Sequence, residues 1–239
     1  MDLDLTGHRA VVTGASLGIG AETVRVLAAH GASVAFCART PSSVDALVAE
    51  LGDAGTTVRG YTADMADAEA VTAFCDAVEA DLGAPPDILV NNVGASPSRN
   101  FLYMTDDEWM ELFELNVMSA VRLTRRFLPG MRKAGWGRVL MINTVAAKYP
   151  GAALVDYAAT KAALAAATKA LARKYAADGV LINTVMPGRI RTAMWERTAA
   201  EIAESRGVSI GTVSSRLNRG HKMLARKLGH LRNEFASGE

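Results

Sequence analysis

Tyr157 and Lys161 stand four residues apart in the run Tyr157-Ala158-Ala159-Thr160-Lys161. On a helix that spacing stacks one side chain a turn above the other on a single face. A neighbouring ammonium favours the phenolate and is expected to lower the tyrosine pKa toward neutrality, giving an acid/base able to work at physiological pH. Far upstream, Thr13-Gly14-Ala15-Ser16-Leu17-Gly18-Ile19-Gly20 follows a β-rich run and opens a helical pattern, the setting a phosphate-binding turn requires. Gly14 permits a tight turn, and Gly18 and Gly20 let the backbone and a helix N-terminus approach a pyrophosphate. Taken singly, each motif has a plainer reading: an ordinary Gly-rich connection, and a surface Tyr/Lys pair. Together, a tuned tyrosine and a dinucleotide site imply hydride transfer to or from a carbonyl.

Such groups need a scaffold that brings distant segments together. Short β-rich runs at 9–13, 33–38, 56–61, 87–91, 138–143 and 180–185 alternate with helical patterns at 19–30, 41–51, 66–82, 105–132 and 156–177. Thr105 with Glu108 forms a capping-box signature at the head of the fourth helix. Strand–helix alternation of this kind predicts βαβ units and a doubly wound parallel sheet of Rossmann type, covered on both faces.

Half of the 239 residues are hydrophobic, enough to bury one sizeable core. The two cysteines, Cys37 and Cys75, sit in apolar surroundings without metal-ligand spacing, which argues against a disulfide framework and for a reducing compartment. The acidic Met1-Asp2-Leu3-Asp4-Leu5 start lacks a signal-peptide stretch, and no run approaches the ~20 apolar residues of a membrane span. A cytoplasmic protein without membrane attachment is expected. The net charge of +1 hides an asymmetry: residues 205–232 hold seven Lys/Arg and no acid. A basic block of that kind is a cue for a different partner or a different origin.

The glycine turn and the Tyr/Lys pair together resemble the TGxxxGxG and YxxxK motifs of the short-chain dehydrogenase/reductase family. The likeness runs from about Leu5 to Thr192. It is strengthened by Asn91-Asn92-Val93-Gly94 (Val93 where the family has Ala), by Asn116 in the long helix, and by Pro187-Gly188 followed by Ile190 and Thr192. The resemblance implies that Tyr157 is the proton donor or acceptor at the substrate oxygen and that Lys161 lowers its pKa and binds the nicotinamide ribose. Asn116 would hold a water in the proton relay. Ile190 and Thr192 would contact the carboxamide, and Asp64 with Met65, closing the third strand, would lie by the adenine. Gly14, Ser16, Gly18, Ile19, Gly20, Asn91 and Gly94 would complete the cofactor cradle. Thirteen residues before Tyr157, where the family usually has a catalytic serine, stands Thr144. Threonine keeps the hydroxyl, but its methyl crowds the pocket, so slower turnover or a narrower pocket is expected; the plainer reading is that Thr144 only ends a strand.

Cofactor choice turns on the end of the second strand, where NAD-selective sites place a carboxylate. Here Ala38 is followed by Arg39, with no acid before Asp45, which favours NADP over NAD through a bidentate contact to the 2′-phosphate. The function expected is interconversion of a ketone or 3-oxoacyl group with its secondary alcohol, in a homo-oligomer (dimer or tetramer) acting on a small carbonyl or alcohol.

The resemblance stops after Thr192, and no β-rich run beyond it could supply a seventh strand. We therefore read 1–192 as the dinucleotide-binding catalytic domain and 193–239 as a helical appendage. Its stretch from Ala200 to Leu217 resembles a helix-turn-helix, with Ala203, Gly207 and Val213 at the motif's small, turn and apolar positions, and is similar to the promoter-binding region of bacterial sigma factors. Two helices cannot bury a core alone, so a substrate lid is the reading taken over a nucleic-acid module. The alternative is a nucleic-acid-binding or cofactor-sensing protein on a reductase scaffold.

Overall fold

A computed structural model of the chain describes residues 3–52, 55–188 and 190, and beyond them Ala203, Glu204, Gly207, Ser209, Gly211, Thr212 and Ser215. The chain divides into two units, Met1–Arg189 and Ile190–Glu239.

In the first unit six strands, β1 (Arg9–Thr13), β2 (Ser33–Ala38), β3 (Val58–Thr62), β4 (Ile88–Asn91), β5 (Gly137–Ile142) and β6 (Val180–Val185), form one sheet in the order β3-β2-β1-β4-β5-β6. Every neighbouring pair is parallel. Alternation along the strands divides the interior into two cores. Ala10, Val12, Val34, Phe36, Ile88 and Val90 face the helices α1 (Gly18–Ala29) and α2 (Pro41–Leu51). Val11, Ala35, Cys37, Leu89, Val139 and Met141 face α3 (Ala68–Asp81), α5 (Ser119–Ala134) and α6 (Val155–Tyr175). Covered on both faces, the central strands β1, β2 and β4 are near-continuous buried runs, whereas β5 and β6 alternate. Phe127 on α5 is fully buried, a contribution of roughly 2 kcal/mol from its apolar area.

Four elements, β1, β2, α2 and β6, have the bounds expected from sequence; the others shift by one to three residues at one end or both. One expectation is corrected in kind. The helix expected over 105–132 is three pieces: α4 (Asp106–Phe113), a π turn over Glu114–Met118, and α5. The capping box is present, with Glu108 N donating to Thr105 Oγ1 at 3.2 Å and Thr105 N to Glu108 Oε2 at 2.9 Å. Short-range capping is legible in sequence; the extra residue of a π turn leaves no periodic mark in so short a run.

Among the described residues β6 is an edge strand, in line with the missing seventh strand. Cys37 and Cys75 are free and buried in the same core, and burial pushes both thiols up to about 12. No helix among the described residues is long and apolar enough to cross a membrane. In the second unit Gly207 has a φ of 59°, and its N–H donates to the Glu204 carbonyl, a turn where the sequence places a turn glycine. Thr192, Val213 and most of the basic block lie outside the described residues.

Candidate active site

The sheet order changes direction at β1, whose neighbours are β2 and β4, and a crevice at such a switch point is where doubly wound folds bind ligands. The glycine turn follows β1, Arg39 follows β2, Asp64 follows β3, Asn92–Gly94 follow β4 and Thr144 follows β5. The sequence-predicted residues therefore collect along one edge of the sheet.

Gly14 and Gly18 both take positive φ, 66° and 60°, as the turn demands. Gly20 is the tightest position: a Cβ there would stand 2.4 Å from the Gly14 carbonyl and 2.5 Å from the Asn92 amide, so no side chain fits. The first turn of α1, beginning at Gly18, has no side-chain cap and no acid. Its N–H groups and positive dipole end are thus left for an anion. Ser16 and Ile19 are half-buried beside it.

The turn is fastened to β4 by two side chains that sequence reasoning left without a role. Thr13, wholly buried, accepts from the N–H groups of Asn92 and Val93 at 3.1 Å each. Asn92 Nδ2 donates to the carbonyls of Thr13 and Gly14 at 2.9 Å each. Their position inside the two motifs was the available signal.

Asn91 turns away from this edge. Its amide is buried, donating to Thr124 Oγ1 at 3.3 Å and contacting Met141 Sδ at 3.2 Å. Met65 likewise has its side chain in the core. Both can offer a ligand only main chain. Asp64 is exposed and accepts from Ala66 N at 3.0 Å, and Arg39 is exposed with no carboxylate within ion-pair distance among the described residues.

Tyr157 and Lys161 lie in the first half of α6. Lys161 is 3% exposed, and its Nζ donates to the Ile142 carbonyl at 3.1 Å. Burial without a carboxylate partner lowers its pKa to about 8. Asn143 Nδ2 donates to the Lys161 carbonyl at 2.9 Å and so fixes this turn of α6 to the end of β5. A Cβ on Gly94 would come within 3.1 Å of Lys161 Nζ and 3.2 Å of Asn116 Oδ1, so glycine there permits the close packing of β4's loop on α6.

The expectation that Lys161 lowers the tyrosine pKa is corrected. Burial raises the Tyr157 phenol, and the opposing influence is a hydrogen bond from the Thr144 hydroxyl. Lys161 Nζ is turned to the Ile142 carbonyl, and burial governs the phenol's shift. Thr144 does more than end a strand: its hydroxyl accepts from Ala146 N at 3.2 Å and opens the short turn Val145–Ala147.

Asn116 is 1% exposed within the π turn. Its Oδ1 accepts from Ala95 N at 2.8 Å, and its Nδ2 donates to the Ala95 carbonyl at 2.9 Å and to Thr160 Oγ1 at 3.1 Å. The side chain ties the β4 loop to α6. Ile190 is exposed in the second unit, and Thr192 lies outside the described residues.

Residues 8–203 match the family described as short chain dehydrogenase. The chain belongs to that family. It is an NAD(P)-dependent oxidoreductase acting on CH–OH groups. The family match extends eleven residues beyond Thr192, where the sequence likeness was read to end. Among curated relatives the chain is 37% identical over 192 residues to the 3-oxoacyl-(acyl-carrier-protein) reductase of Vibrio cholerae, covering 80% of this chain and 77% of that one. It is 37% identical over 188 residues to an uncharacterised oxidoreductase of Bacillus subtilis, with 79% and 70% covered. Among solved short-chain dehydrogenase structures, L-sorbose reductase of Gluconobacter frateurii with NADPH and L-sorbose superposes with a TM-score of 0.84 at 33% identity, covering 89% of this chain and 81% of that one. An actinorhodin polyketide ketoreductase with NADPH gives 0.81 at 31% identity, with 88% and 81% covered.

Proposed function

We propose that the chain is an NADP-dependent reductase that converts a ketone or 3-oxoacyl group to its secondary alcohol, with Tyr157 as the acid. The observation that carries this reading is the gathering of the glycine turn, Thr144 and the Tyr157–Lys161 turn of α6 at one edge of the sheet, with burial holding the phenol above its ordinary value. A protonated, half-buried phenol is suited to donating a proton, which is the reductive direction.

The residues fit a dinucleotide. The uncapped N-terminus of α1 and the Gly14–Gly20 cradle would take the pyrophosphate, and Lys161 and Gly94 would line the nicotinamide ribose. Arg39, with no carboxylate partner among the described residues, would meet the 2′-phosphate. The names of the NADPH-bound sorbose and polyketide reductases support that choice of cofactor. When bound, NADPH supplies the hydride to the carbonyl carbon. Thr144 Oγ1 would polarise the carbonyl oxygen, and Tyr157 Oη would give it a proton as negative charge develops there. Lys161, with a pKa of about 8, is able to return a proton to the phenol at neutral pH. Asn116 would serve by holding Ala95 against Thr160.

Residues 193–239 are proposed to be a substrate lid, supported by the family match running to residue 203. The protein is proposed to act as a cytoplasmic homo-oligomer, which light scattering would read. Steady-state reduction of a panel of ketones, keto sugars and 3-oxoacyl thioesters with NADPH and NADH tests the reading. Turnover with NADPH at more than tenfold the efficiency seen with NADH is expected; no carbonyl turnover with either would overturn it.

A further inference from the structure

Arg99, in the loop after β4, holds two residues, Glu108 at the head of α4 and the sequence-distant Asp156. Its Nη1 donates to the Glu108 carbonyl at 2.8 Å, its Nε lies 3.5 Å from Glu108 Oε1, and Nη1 stands 3.7 Å from Asp156 Oδ2. Asp156 is 2% exposed, in the first turn of α6 directly before Tyr157. Its Oδ1 accepts from the Tyr157 N–H at 2.7 Å, while its Oδ2 has no hydrogen bond. The guanidinium is therefore the countercharge of a buried carboxylate, and a buried charge that loses its partner is costly. No side chain caps α6, so Asp156 also supplies the negative charge that the helix N-terminus favours.

We propose that Arg99 and Asp156 are positioning residues that set the height of Tyr157 in the site and lock it to the loop that meets substrate. The proposal rests on Tyr157 being the acid. On one side, the pair is braced by Glu108, whose second carboxylate oxygen is taken up by Thr105 N in the capping box of α4. On the other, Arg99 precedes Asn100, which caps the short turn Phe101–Tyr103 by accepting from Leu102 N at 3.1 Å. That turn displays Phe101, Leu102 and Tyr103 with 58%, 82% and 81% of their surface exposed. A carbonyl substrate that packs on these side chains presses on a loop whose anchor is one residue from the acid. A small displacement of an acid from its acceptor costs rate far more than binding.

The test uses the full-length protein and the carbonyl that the wild type reduces fastest in the panel above. Arg99→Met and Asp156→Asn are each expected to lower kcat about tenfold or more, with the NADPH Kd within about twofold of wild type. The double variant is expected to be no slower than the slower single one, because both remove the same device. Arg99→Lys, which keeps the charge, is expected to restore part of the lost kcat without changing the Kd for NADPH. If Asp156→Asn does not fold, the comparison of Arg99→Met with Arg99→Lys decides alone. A lowered Tm with kcat of the folded enzyme within twofold of wild type would overturn the proposal, as would multiplicative losses in the double variant. Tyr157→Phe is measured alongside: if it remains active, the acid assignment itself fails; if it is inactive while both single variants are normal, only the positioning role fails.

Discussion

Asn92 ties the loop after β4 to the glycine turn: one amide nitrogen, Nδ2, donates to the Gly14 carbonyl at 2.9 Å and to the Thr13 carbonyl at the same distance. The glycine turn is thus held in shape by β4 and does not depend on its own backbone alone. Asn92→Ala leaves both carbonyls without this donor, at a cost of about 1–3 kcal/mol. We expect weaker NADPH binding, about tenfold by fluorescence titration, and a lower urea midpoint. Unchanged affinity would show that the turn needs no fastening.

Thr144 follows β5 and opens a 3₁₀ turn by accepting from Ala146 N. Thr144→Ser keeps the hydroxyl and is expected to hold kcat within about threefold or to raise it, since the methyl is removed. Thr144→Val keeps the shape without the donor and is expected to lose roughly a hundredfold in kcat, as removal of one transition-state hydrogen bond does. Equal activity in the two variants would deny Thr144 any part in catalysis.

Most of the sheet and its helices could be read from sequence, because buried parallel strands and amphipathic helices leave long, regular marks. The site was legible as a set of motifs, and its members do gather at one sheet edge. What could not be read was orientation. Asn91 and Met65 lie at the expected places with their side chains in the core, and the Asn116 side chain is taken up by Ala95 and Thr160. The direction a side chain takes at a strand end depends on partners that are far away in sequence. The Tyr157–Lys161 spacing correctly predicts a shared helix, but the sign of the phenol's shift follows from burial, which spacing does not encode. Arg99 stands in no motif, so nothing short-range marks it as the partner of Asp156.

Stability should record the buried lysine. Burial lowers Lys161 from 10.5 to about 8. Between those values the unfolded chain holds a proton that the native chain has released, so this site's contribution to stability rises with pH from about 8 toward 10.5. The raised phenol of Tyr157 acts in the opposite sense above about 10, and the raised thiols of Cys37 and Cys75 do so above about 9. The window from pH 7.5 to 9 therefore isolates Lys161. Relative to Lys161→Met, the wild type is expected to gain about 1 kcal/mol of unfolding free energy across it. Parallel pH profiles from urea titrations would contradict the shift.

Arg39 is exposed at the end of β2, where no acid precedes Asp45. Arg39→Asp sets a like charge against a 2′-phosphate and offers an acceptor to a ribose hydroxyl. We expect the preference for NADPH over NADH to invert when both dissociation constants are measured. Unchanged relative affinities would remove Arg39 from the cofactor site.

The central claim is that the Tyr157 phenol delivers the proton. Tyr157→Phe keeps the ring in α6 and removes only the hydroxyl. The direct measurement is kcat for the best carbonyl substrate beside the NADPH dissociation constant of the same variant. The account predicts turnover at about 1% of wild type or less, with NADPH affinity within about twofold. Turnover well above that level with intact NADPH binding would contradict it and place the acid elsewhere.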